Sequence, residues 1–384
     1  MASQVRLRLL PSARCLFDEH IQVKVAGLRS RQVVSLRASS TDDKGTVFSS
    51  AATYRADGNG EIDMKRDPSL SGSYVGVEPM GLLWSMTPDS LHKRLQKINA
   101  LNPYMVKFSV HEEAGEGRIL AEATNERILM GDGVIRVPVK EGNIRGVLFT
   151  PPGRGPFPAV LDLYTFGGGL SEKRASLLAS RGFLVLTVAL YGHDDLPKNV
   201  KEIHLDYLEE AVEFLKKQTK KVIPSESGAF NAKYVLNNPL AEENKGSLIP
   251  IEQAKGHFLF VASEDDLNWD SKAYVDEMVE RLKRHGKEKF ESVSYPGAGH
   301  YLEPPYGPYC PSSFHGVLGK PVLWGGEPKS HAAAEVHMWK KIQDFLRNHL
   351  SSDAAQTRAN SLTIAKFYIH PDPHMPVLPA LLAR

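Results

Sequence analysis

The run AVLDLYTFGGGLSEKRASLLASRGFLVLTV, residues 159–188, decides the fold class. It opens on an apolar stretch interrupted only by Asp162, turns through Gly167, Gly168 and Gly169, continues with helical spacing over 172–179, and closes on a second apolar stretch from Phe183. Strands buried on both faces lose the polar alternation of a half-exposed strand, and a helix between two of them makes a parallel crossover. Working outward, residues 147–150 read as a strand before the turn-rich PPGRGPFP, and 205–217 as an amphipathic helix. Residues 258–262 and 291–295 read as further strands around a helix at 271–285. A last helix spans 332–350, with Trp339, Ile342, Phe345 and Leu346 on one face. The alternation predicts an α/β domain over 139–350.

Upstream the pattern changes. The segments IQVKVAGL, QVVSLRAS, TVFSSAATYRADGNG, YMVKFSVHE and RILAEATNERIL are short alternating runs broken by Asp, Asn and Gly, which predicts an antiparallel β-sandwich over 1–138. GDGVIRVPVKEGNIR, residues 131–145, reads as a linker between the two regimes. Residues 351–384 lose periodicity and are expected to be irregular.

Bulk composition excludes several classes of function. With 47 basic and 45 acidic residues the net charge is +2, which argues against general nucleic-acid or membrane-surface binding. The basic cluster Lys216, Lys217, Lys220 and Lys221 reads as a solvated helix end. Cys15 and Cys310, far apart, read as thiols of a reducing compartment. No apolar run reaches the roughly 18 residues of a membrane span. Arg6, Arg8 and Arg14 could belong to a transit segment, but the alternation of Val5, Leu7 and Leu9 with arginines reads better as a strand.

Three elements carry chemistry. The glycine triplet 167–169 lies between a strand and a helix N-terminus, where backbone N–H groups and the helix dipole favour negative charge, as an oxyanion hole requires. SEDDLNWD follows one strand and SYPGAGHYLEPP the next, which places an acid, Asp266, and a base, His300, 34 residues apart at successive strand ends. That is the order in which a hydrolase triad supplies its orienting carboxylate and its general base. Asp265 is the second candidate for the acid.

These residues sit within longer segments. LDLYTFGGGLSEKRASLLASRGF, YGHDDLPKN, ASEDDLNWDSKAY, YPGAGHYLEPPYGPYCPSS and WGGEPKSHAAAEVHMWKKI together resemble the family of acyl-CoA thioesterases and bile acid-CoA:amino acid N-acyltransferases, over residues 5–350. The resemblance implies an N-terminal β-sandwich and an α/β-hydrolase domain. It also implies an acyl-CoA substrate, no cofactor and no metal, and a Ser or Cys nucleophile completed by Asp and His. Carried over by position, His300 matches the family base and Asp266 its acid.

The nucleophile is the departure. No G-x-S-x-G motif occurs in the 384 residues, and KKQTK runs directly into KVIPSESGAFNAKYVLNNPL, where the resemblance calls for a strand, the nucleophile elbow, a helix and a further strand. The expected sheet is therefore incomplete. Losing about five buried apolar side chains at ~1.5–3 kcal/mol each removes roughly 7–15 kcal/mol, as much as a typical domain's whole stability. Substitutes are poor: Ser225 and Ser227 lack the preceding glycine of an elbow, and Cys310 lies in a proline-rich loop. His193, Asp194 and Asp195 are consecutive and read as a loop rather than as metal ligands.

The sequence thus predicts a thioesterase-family member with a hydrolytic step impaired by loss of its nucleophile. The rival readings are transfer of the acyl group to an amino acid, and acyl-CoA binding, or a non-functional splice product, with no catalysis. The C-terminal Leu382-Ala383-Arg384 does not match a peroxisomal S-K-L signal, so a cytoplasmic location is expected; oligomeric state is not legible.

Overall fold

The computed structural model describes residues 4–97, 99–113, 117–153, 157–163, 168–198, 207, 210–212, 214–215, 250–315 and 320–350. The described chain divides into two compact units, one of residues 1–130 with 304–310, the other of residues 131–303 with 311–384.

The first unit holds β1 (Arg6–Leu10), β2 (Arg14–Leu16), β3 (Gln22–Ala26), β4 (Val33–Thr41), β5 (Val47–Arg55), β6 (Ile62–Asp63), β7 (Ser71–Gly72), β8 (Thr87–Pro88), β9 (Tyr104–Glu112) and β10 (Ile119–Ile128). They form two sheets. One has the order β1-β3-β6, the other β2-β10-β9-β4-β5-β7 with β8 also on β5. All pairings are antiparallel except β2 with β10, a departure from the purely antiparallel sheet expected. Alternation explains the burial: Val34, Leu36 and Ala38 of β4, Phe48, Ala52 and Tyr54 of β5, and Tyr104, Val106, Phe108 and Val110 of β9 are all buried. The segment 304–310 completes this unit. Tyr309 N–H donates to Trp84 O at 2.9 Å, and Gly307 lies against the Phe17 ring. Arg127, fully buried, donates to the carbonyls of Phe17 and Glu19 at 2.6 and 2.7 Å.

The second unit begins with β11 (Ile135–Glu141), which pairs antiparallel with β12 (Ile144–Thr150) through a tight Gly142 turn. Residues read from the sequence as a linker are therefore a sheet edge. The order β11-β12-β14-β13 follows, with β13 (Ala159–Leu163) parallel to β14 (Leu184–Val188) across the helix Lys173–Ser180. Every residue of β13 and β14 is buried, which is why both read as apolar runs interrupted only by Asp162 and Thr187. Gly146 is needed at the β12–β14 crossing, since a Cβ there would stand 2.2 Å from Thr187 O.

A second pair is parallel: β15 (Phe258–Ser263) and β16 (Phe290–Tyr295), joined by the helix Ser271–Arg284. Phe258 and Phe260 pack on Met278, Val279 and Leu282 of that helix, while Val261 and Val293 pack with Ala334 and Met338 of the helix Pro328–Leu350. The hairpin β17 (Ser312–His315) and β18 (Lys320–Leu323) was not foreseen. Among the described residues β13 is bonded to a strand on one side only, and so is β15. The predicted helix at 205–217 falls largely, and the lysine cluster, Ser225, Ser227 and the 351–384 tail wholly, outside the described residues. Gly167 lies there as well.

Candidate active site

Strand ends place the acid and the base. The chain leaves β15 at Ser263 and turns at once, held by Asp265 N–H to Ala298 O at 3.0 Å and by a bridge between Asp266 and Gly325. Glycine is required opposite: at Gly325, φ is +76° and a Cβ would stand 1.9 Å from Asp265 O. Leaving β16, the chain turns through Gly297 and Gly299 to His300, whose N–H donates to Trp324 O at 2.8 Å.

Asp266 and His300 then meet. His300 Nδ1–H donates to Asp266 Oδ2 at 2.8 Å, and the two residues are only 4% and 2% exposed for His300 and Asp266 respectively. Asp266 Oδ1 accepts from the N–H of Asn268 at 2.7 Å and of Trp269 at 2.9 Å, and the Ser271 hydroxyl donates to Oδ2. Burial alone would push this carboxyl up. The attraction of His300 and the hydrogen bonds from His300, Ser271 and Trp269 outweigh it and hold Asp266 below the usual carboxylate range. The Trp324 ring stacks on the His300 imidazole, with centroids 5.6 Å apart and planes 14° from parallel. Asp265 is exposed, and it is Asp266 that reaches the imidazole.

The far nitrogen of His300 is also engaged. Asn268 Nδ2 lies 3.1 Å from Nε2, so the amide donates and Nε2 is an acceptor, the proton state a general base needs. Asn268 was missed in the sequence, although its position two residues past the acid, in a turn capped by the Asp266 carboxylate, is the local signal for it.

Of the glycine triplet, Gly168 and Gly169 have φ of +67° and +76°, and a Cβ on Gly168 would stand 2.7 Å from the Tyr191 ring. Gly169 N–H donates to Tyr191 O at 2.7 Å, which commits it and leaves Gly168 as the described glycine able to offer an N–H to a ligand. The helix beyond is tied at its start by the Arg136–Glu172 pair, 2.6 Å. Lys173, four residues past Gly169, pairs with Glu303, three past His300, at 2.7 Å, so the glycine loop and the base loop lie side by side.

The other candidates do not join this cluster. Cys310 belongs to the first unit. Asp194 and Asp195 pair on the surface with Lys140 and Arg145, and among the described residues no group of three His, Cys, Asp or Glu could hold a metal ion.

Comparison with known proteins matches both units. Residues 18–141 match "Acyl-CoA thioester hydrolase/BAAT N-terminal region" and residues 187–352 match "BAAT / Acyl-CoA thioester hydrolase C terminal". Mouse acyl-coenzyme A thioesterase 3 is 40% identical over 405 residues, covering 89% of this chain and 94% of its own. This chain belongs to the acyl-CoA thioester hydrolase/BAAT family. Human acyl-coenzyme A thioesterase 2, mitochondrial, is 39% identical over 90% of this chain and 84% of its own, and mouse peroxisomal succinyl-coenzyme A thioesterase 40% over 90% and 97%. Among solved structures, Pyrococcus horikoshii acylaminoacyl peptidase aligns with 89% of this family member and 60% of its own chain at 14% identity and a TM-score of 0.38, too distant to argue from. The 405 aligned positions draw on 89% of 384 residues, about 342, so about 63 of them stand opposite gaps in this family member.

Proposed function

We propose that this chain takes fatty acyl-CoA as its ligand and presents the acid–base half of a thioester hydrolase site, Asp266 and His300, without the nucleophile that completes it. The observation that carries this reading is the buried 2.8 Å bond between His300 Nδ1 and Asp266, built at successive strand ends beside the glycine loop. In this reading Asp266 orients the imidazole, Nε2 accepts a proton, and Gly168 N–H faces the thioester oxygen. The absence of any G-x-S-x-G motif, together with a total of about 63 aligned positions opposite gaps, supports the loss of the elbow. What remains open to the dyad is direct hydrolysis. His300 takes a proton from water, the water oxygen attacks the thioester carbonyl, the carbon–sulfur bond breaks, and that proton passes to the leaving CoA thiolate, giving CoA and a carboxylic acid that releases its remaining proton to solvent. Without a covalent intermediate this route is slow.

A second reading, binding without turnover, is favoured by Asn268, whose amide occupies Nε2 where a nucleophile's hydroxyl would stand. Location in the cytosol belongs to the proposal: Arg6–Leu10, the stretch whose arginines suggest a transit segment, is a folded strand paired with Gln22–Ala26.

CoA release from a long-chain acyl-CoA by the purified chain, beside His300→Ala, tests this. Slow release abolished by the substitution supports the dyad. Saturable binding with no release supports the second reading, and neither release nor binding sinks both.

A further inference from the structure

The loop that carries His300 is gripped from behind by residues to which neither the sequence motifs nor the reaction assigns a part. His331, in the first turns of the helix Pro328–Leu350, is 4% exposed. Its Nδ1 accepts the N–H of Gly299 at 3.1 Å, and its Nε2–H donates to the carbonyl of Tyr301 at 3.0 Å. Gly299 and Tyr301 are the two neighbours of His300. One imidazole therefore fixes the backbone on both sides of the base, and only the neutral ring protonated on Nε2 makes both bonds.

The grip extends outward. One turn along the same helix, buried Glu335 accepts the N–H of Glu303 at 3.0 Å, and the Glu303 carboxylate pairs with Lys173, the first residue of the helix that follows Gly168 and Gly169. Both side chains of that pair are only 13% exposed, so solvent screens it less than a surface pair. Burial pushes the Glu335 carboxyl up, against the pull of His331, the Glu303 N–H and Lys173, as expected of a group enclosed by the cluster.

We propose that His331, Glu335, Glu303 and Lys173 form a positioning array that fixes the His300 imidazole on Asp266 and holds the base loop at a set distance from the glycine loop. The proposal rests on reading His300 as the base. It gives these four residues a role in orientation, which is where catalytic geometry is won or lost.

The test reads orientation directly and needs no turnover. In the full chain labelled with 15N-histidine, the His300 Nδ1–H resonance, identified by its loss in His300→Gln, reports the bond to Asp266. Lys173→Met, whose side chain lies at the edge of the cluster, is expected to broaden this resonance and speed its exchange with solvent while the melting midpoint barely moves. Reversing the pair, Lys173→Glu with Glu303→Lys, is expected to restore it. His331→Asn is expected to abolish it. An unchanged resonance in both Lys173→Met and His331→Asn overturns the array. Should His331→Asn fail to fold, Lys173→Met and its charge-reversed rescue decide alone. Absence of CoA release from the wild type would sink the hydrolytic reading and leave this result standing.

Discussion

Asp266 concentrates the residue-scale physics. Four donors converge on a carboxylate that is almost wholly buried, two on each oxygen, and an amide in its place keeps one acceptor while turning an NH2 group toward the other two donors. Asp266→Asn is expected to destabilise the chain by about 3 kcal/mol near neutral pH, read from urea midpoints. Because the folded carboxyl titrates below its unfolded counterpart, this stabilisation is fully present above the unfolded value of ~3.9 and is lost as pH falls through the folded one. The gap between wild type and Asp266→Asn should therefore close below about pH 4. Glu335 behaves oppositely. Its folded carboxyl is raised, so the native state holds the proton longer than the unfolded chain and stability declines as pH rises past the unfolded value. Glu335→Gln, which keeps an acceptor for Glu303 N–H, should match wild type near pH 4 and equal or exceed it at pH 8. A variant less stable than wild type at pH 8 would contradict this. The acid and base were legible because a strand end followed by a tight turn is written in a few adjacent residues. Asn268, Trp324 and His331 were not, because each acts through a contact made only when distant segments pack.

At the scale of elements, burial decided what could be read. β13 and β14 are buried on both faces and stood out as apolar runs. β11 is half exposed, with Ile135 and Val137 facing out, and resembled a linker because its pairing with β12 supplies what its side chains do not. The final helix begins at Pro328, four residues before the alanine run that marked it in sequence. Proline suits a first helical position, where its missing N–H costs nothing. The helix Ser271–Arg284 carries its own signals: Asp270 caps its N-terminus by accepting from Ala273 N–H, and Arg281, Lys283 and Arg284 oppose the dipole at its last turn. Asp270→Ala is expected to cost about 1 kcal/mol in thermal or urea unfolding. A loss too small to measure would mean that packing against β15 alone fixes the start of this helix.

For the whole molecule, the question is how stability is shared between the two units. In the first unit the long strands β4, β9 and β10 are each paired on both sides, whereas β13 and β15 each bond to a strand on one side only among the described residues. Stability should therefore be uneven, and hydrogen exchange followed by mass spectrometry should find β4, β5 and β9 protected longest and β15 exchanging first. Uniform protection across both units would argue against the incomplete sheet. Function follows the same line: inserting the corresponding strand, elbow, helix and strand of a thioesterase relative at residues 221–223 should produce CoA release that is abolished both by His300→Ala and by replacing the inserted serine.

The segment 304–310 has a further consequence. It leaves the second unit after Glu303, finishes the first, and returns at Pro311, so the polypeptide crosses the boundary three times. Truncating the gene at residue 130 or 131 would therefore not yield two autonomous modules. An N-terminal piece would lack Tyr306, whose ring lies 6.0 Å from the Arg127 guanidinium, and a C-terminal piece would carry a seven-residue stretch with nothing to fold onto. Heredity cannot deal these two units out to separate genes, because neither is written in one continuous stretch.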